Sequence, residues 1–159
     1  MTAPAPTQPT VASASAPRGR GVVIGAMLVA LVLIGAYWLI WFGVDRDLLA
    51  SSHAPAYYTF ENAFPAADAW LALTLVAAVA GILRRRPWGL LATLLGGGAG
   101  IYLGCMDVLF DLENGIYHIR PGADASGPLI ELAINVLTFA LSIAVTAWAW
   151  RNRRWLLGE

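Results

Sequence analysis

The residues best suited to chemistry lie in "DVLFDLENGIYH" (107–118), where Asp107, Asp111 and Glu113 follow directly on "ATLLGGGAGIYLGCM", which is apolar enough for lipid. A second polar pair, Glu131 and Asn135, stands one helical turn apart in "ELAIN". Carboxylates on an apolar background suit two kinds of work. They can hold a cation or a cationic amphiphile, or they can exchange protons with a bound substrate, because burial perturbs carboxyl titration. His53 and His118 lack ligand spacing, so no metal is expected, and no cofactor motif is present. The Gly-rich "LGGGAG" has no Lys-Ser or Lys-Thr after it and is not a phosphate loop.

These side chains need elements to carry them. Of 159 residues, 58% are hydrophobic and 13% charged, against about a quarter charged in a soluble domain. Apolar runs long enough to cross about 30 Å of hydrocarbon occur at about 22–44, 65–83, 88–110 and 128–150. Helices satisfy their own backbone in lipid. The expected fold is an all-α membrane protein, an antiparallel bundle of four transmembrane helices in a single domain over 21–155. A tail over 1–20, rich in Ala, Pro, Ser and Thr, reads as disordered, and 156–159 as a short C-terminus. The first run is longer than the roughly 7–15 residues of a signal-peptide core. The net charge is zero and no nucleic-acid partner is expected.

Charge sets the expected topology. Eight of the ten Arg (18, 20, 84, 85, 86, 151, 153, 154) flank one set of helix ends, while only Glu159 among the ten acids does so. By the positive-inside rule both termini are cytoplasmic, in what reads as the plasma membrane. The use of Arg without Lys points to a bacterial source. Tyr37, Trp38, Trp41, Tyr57, Tyr58, Phe60 and Trp70 form the outer aromatic belt, and Trp88, Trp148, Trp150 and Trp155 the inner one. The lone Cys105 allows no internal disulfide.

Two stripes then fall into place. On the third span Gly89, Thr93, Gly96, Gly100, Gly104, Asp107 and Asp111 share one face, with Asn114 joining them if the helix continues and Cys105 opposite. Gly96, Gly100 and Gly104 form a glycine zipper that would let a neighbouring backbone approach. On the fourth span Glu131, Asn135, Thr138, Ser142 and Thr146 align. Asp107 lies about 28 Å along a helix from Trp88, and Glu131 about as far from Trp150. Facing stripes would therefore put Asp107 and Glu131 at one outer level, lining a pocket with Asp111 at its rim and Asn135 at its floor. Two like charges there cannot both ionise freely unless a cation or Arg120 compensates. Asp68 reads as a helix-dipole partner, and Asn62 as an N-cap ahead of Pro65.

The function expected is a small integral membrane protein whose acid-lined pocket opens outward and binds or transports a cation or cationic amphiphile. The alternatives are a membrane enzyme using carboxylate acid/base chemistry on a lipid or sterol-like substrate, and an accessory subunit or homo-oligomer assembled through the glycine face. The first span has no charge between Gly21 and Val44. That argues against a small four-helix multidrug exporter, whose first span would need a buried Glu.

Overall fold

The computed structural model describes residues 15–119 and 125–159. Arg120, expected as a counter-charge, and most of the 1–20 tail lie outside the described residues. The described chain is helical throughout, in the order α1 (Arg20–Gly43), a 3₁₀ turn (Arg46–Leu48), α2 (Pro55–Glu61), α3 (Pro65–Leu83), α4 (Pro87–Asn114), α5 (Ser126–Arg151) and α6 (Arg153–Leu157). Four helical stretches, in α1, α2–α3, α4 and α5, are long and apolar enough to cross a membrane.

Prolines start three of these helices: Pro55, Pro65 and Pro87 each stand in the first turn, where a missing N–H costs nothing. The Arg-rich link between α3 and α4 turns through Arg85, which takes a left-handed φ of 51°. The Arg86 N–H donates back to the Gly81 carbonyl at 2.9 Å. α4 runs four residues beyond the span expected from hydropathy and stops at Gly115, whose φ of 66° only glycine adopts readily. The Ile116 N–H then caps the Asp111 carbonyl at 2.9 Å, and the Ile116 side chain is buried against the Trp41 and Tyr57 cluster. The short α2 and the 3₁₀ turn lie in the connection between the first two expected spans.

α4 packs chiefly against α3 and α5, while α1 leans mainly on α3. Where α3 meets α4 the backbones touch: a Cβ added to Gly89 would lie 2.7 Å from the Gly81 carbonyl carbon. The glycines of α4 serve two neighbours. Gly96 faces Thr74 and Leu75 of α3, whereas Gly97 meets Thr146, Gly100 meets Ser142 and Gly104 meets Phe139 of α5. Cys105 is exposed on the other side.

α1 is fastened near its two ends. Its buried residues are Val23 and Met27 at one end and Trp41 at the other. At the first end the Arg20 guanidinium donates to the carbonyls of Ile82 and Leu83 at 3.4 and 3.3 Å. There Arg20 and Arg85 both sit over the Trp155 ring. The Arg-bearing ends of α1, α3 and α6 are thus gathered together. Trp148, on α5, donates to the Arg18 carbonyl at 3.0 Å.

Candidate functional site

At the other end of the helices lies a buried polar cluster, built from four segments. α4 supplies Asp107 and Asp111, α5 supplies Glu131 and Asn135, α2 supplies Tyr57 and Glu61, and α1 supplies Tyr37. Glu61, Asp111, Glu131 and Asn135 are all buried, and Asp107 is half-buried. A buried polar group is costly unless it finds a partner, and most of these have one. Asn135 Nδ2 donates to Asp111 Oδ2 at 2.9 Å and to Tyr117 Oη at 2.8 Å. Tyr37 Oη donates to Glu61 Oε2 at 2.9 Å, and Ser51 Oγ to Glu131 Oε2 at 2.6 Å. Burial, reinforced by the hydrogen bond and charge of Asp111, pushes the Tyr117 phenol well above its ordinary range.

The expected set is therefore brought to one end, with a different internal arrangement. Asp111 and Asn135 are in direct contact, which corrects their expected separation as rim and floor. Glu131 bonds to Ser51 in the α1–α2 connection, and no hydrogen bond joins it to Asp107 among the described residues. The reason is register: the contacts of Gly100 with Ser142 and Gly104 with Phe139 carry through to Asp111 opposite Asn135. Asn114 is exposed and donates to the Phe110 carbonyl of its own helix at 2.8 Å, so it does not join the buried face. Glu113 is exposed as well.

Several participants do not follow from hydropathy. Glu61 reads as a helix-boundary acid, yet it is buried together with Tyr57 one turn earlier on α2. The signal was available in "PAYYTFE": a proline start followed by an aromatic and an acid at i and i+4. The aromatics near the C-terminal end of α1 are also more than a belt. Trp38 Nε1 donates to Asp68 Oδ2 at 2.8 Å, and Trp41 Nε1 to Asn62 Oδ1 at 3.0 Å. Asn62 is thus a tether at the end of α2 and not an N-cap; Phe64 occupies the residue before α3.

Two buried polar atoms in this region lack a hydrogen-bond partner among the described residues, Tyr57 Oη and Asn135 Oδ1. Tyr57 lies within electrostatic reach of Glu61 and Glu131. Asp107 makes no side-chain hydrogen bond among the described residues, and the charges of Glu61, Glu131, Asp111 and Asp68 act on it. Nearby, a cleft of about 250 Å³ opens beside Asp111, Leu112, Gly115, Tyr117 and His118. His53 is outside the cluster, its Nδ1 2.9 Å from Tyr58 Oη. Among the described residues no three of His, Cys, Asp and Glu converge as metal ligands. The arrangement offers oxygen acceptors without a described basic partner: Arg46, the one described Arg near this end, has its guanidinium over the Tyr58 ring at 4.3 Å. Compared with known proteins, the chain matches no family model, no curated protein and no solved structure.

Proposed function

We propose that the chain is an antiparallel four-helix bundle of the bacterial plasma membrane, with both termini cytoplasmic. Its extracytoplasmic end would bind the cationic group of a small or amphiphilic solute. The orientation is supported by the segregation of Arg from acid along the helices. A reporter fused after Glu159 is expected to give a cytoplasmic signal; a signal from the far side of the membrane would invert the assignment and place the acid cluster inside.

The observation that carries the binding site is Asp107. Glu61, Asp111 and Glu131 each accept a hydrogen bond from a protein side chain. Asp107 accepts none among the described residues, is half-buried, and feels the charges of Glu61, Glu131 and Asp111. A bound cation would relieve that repulsion and complete its coordination. Adjacent apolar surface would accept the tail of an amphiphile.

The site is tested with the purified protein in mild detergent, titrated with dodecyltrimethylammonium and, as an uncharged control, dodecanol. Wild type should bind the ammonium compound saturably and in preference to the alcohol. Asp107→Asn should weaken that binding at least tenfold, about 1.4 kcal/mol, and Glu113→Gln should leave it unchanged. Equal binding by all three proteins would remove the site. Flux of the same cation from proteoliposomes separates carriage from binding alone.

A further inference from the structure

The groove between α1 and α3, at the Arg-bearing end, is unrelated to the acid cluster. Between Met27 and Trp41 the residues of α1 that pack on the core, Ala30, Leu31 and Ile34, are only partly buried, so a groove stays open between the two helices. The space between them, about 260 Å³, is lined by Leu28, Leu31, Val76, Val79, Ala80 and Leu83, and Arg84 closes one end. Leu28, Val76 and Leu83 are at least 47% exposed, so the groove opens sideways.

We propose that this groove holds one acyl chain of an anionic phospholipid, with the lipid phosphate on Arg84. The apolar walls match a hydrocarbon chain, and several methylenes fit the volume. Arg84 makes no side-chain hydrogen bond among the described residues and is exposed, so its forked guanidinium is free to meet two phosphate oxygens. Arg20 adds a fixed positive charge close by, because its guanidinium is bound to the carbonyls of Ile82 and Leu83. Its Nε is buried and unpartnered. Arg85 and Arg86 follow directly in sequence. Phosphate is common to zwitterionic and anionic lipids; the surplus of positive charge favours a headgroup with net negative charge. The inference rests on the helices spanning a bilayer and is independent of the outer site.

Native mass spectrometry of the purified full chain tests it, with equal amounts of phosphatidylglycerol and phosphatidylcholine offered in mixed micelles. Wild type should retain one phosphatidylglycerol at least fivefold in preference to phosphatidylcholine. Arg84→Gln should abolish the preference. Ala80→Phe, which fills the groove, should reduce retention of both lipids, and Arg154→Gln on α6 should change neither. Equal effects of Arg84→Gln and Arg154→Gln would show a diffuse surface charge and overturn the site. A dimer mass removed by Ala80→Phe would assign the groove to a second copy of the chain, and would overturn it too. Should a variant lose its helicity by circular dichroism, wild type still decides. A photoactivatable phosphatidylglycerol should label peptides covering 28–31 and 76–84, and labelling elsewhere alone would refute the proposal. Release of the protein from membranes by carbonate would instead count against bilayer insertion itself.

Discussion

Gly89→Ala lowers the thermal midpoint of the detergent-solubilised protein, and Gly98→Ala leaves it unchanged or raises it: this is the expected outcome with the sharpest contrast. Both substitutions add one methyl group to the same helix. Both gain the roughly 1 kcal/mol by which Ala exceeds Gly in helix propensity. The difference is the neighbour. At Gly98 a Cβ meets nothing within 4 Å. At Gly89 it would stand 2.7 Å from the Gly81 carbonyl carbon and 2.9 Å from both Gly81 Cα and Ile82 N. Those are backbone atoms inside a helix, so no rotamer change relieves the overlap, and α3 and α4 must move apart. Overpacking costs about 1–3 kcal/mol, and this site belongs at the upper end of that range. The stripe on the α5 side is softer, since Gly97, Gly100 and Gly104 meet mainly the side chains of Thr146, Ser142 and Phe139. Matching midpoints for the two variants would show that α3 and α4 do not approach at Gly81 and Gly89.

The second large effect is expected at the Asp111–Asn135 contact. Asn135→Leu removes the donor from a buried carboxylate and from the Tyr117 hydroxyl together. Leaving a buried acceptor unsatisfied costs about 1–3 kcal/mol, and more for a charged one. Asp111→Leu in turn takes from the Asn135 amide one of its two acceptors. The double variant, with two apolar side chains in contact, strands neither and should be less damaged than the sum of the single changes. A double-mutant cycle by unfolding in mixed micelles should give a coupling of about 1.5–3 kcal/mol, the range for hydrogen bonds to charged groups. Strict additivity would mean that the two side chains do not meet, and the register between α4 and α5 would have to shift.

Register is also where sequence and structure part. The spans were legible because hydropathy is a one-dimensional property: Pro65–Leu83 matches the expected run, and the other three differ by a few residues at their ends. The inward faces of α4 and α5 were legible from the helical wheel, since small and polar side chains avoid lipid. Which residue of α4 stands opposite which residue of α5 was not. Counting from the inner tryptophans set Asp107 level with Glu131, whereas the contact falls between Asp111 and Asn135. That offset comes from side-chain fit along the interface, which no single helix encodes. Glu61 was missed for a related reason. A seven-residue helix has too little periodicity to stand out, and its burial depends on Tyr37 arriving from α1.

Trp38 and Trp41 show the limit of composition most directly. At the membrane interface an indole is an ordinary anchor, and nothing in a single sequence says that its N–H is committed to Asp68 or Asn62. The belt interpretation accounts for their depth, and the hydrogen bonds account for their identity.

The exposed face of α1 has a consequence for how this chain can drift over evolutionary time. Met27 and Trp41 are separated by about 21 Å of helix in which Ala30, Leu31 and Ile34 are partly buried against the core and Leu28, Val29, Val32, Leu33 and Leu39 are exposed. The exposed positions need only remain apolar and helix-compatible, so Val, Leu, Ile and Ala are near-synonyms there, and substitutions among them should accumulate almost freely. The information that specifies where α1 sits is concentrated in two short words, one around Arg20–Met27 and one around Tyr37–Trp41, joined by the core-facing Ala30, Leu31 and Ile34. Distant descendants of this chain should therefore share those words and the three core-facing positions, while the exposed letters between them have become unrecognisable.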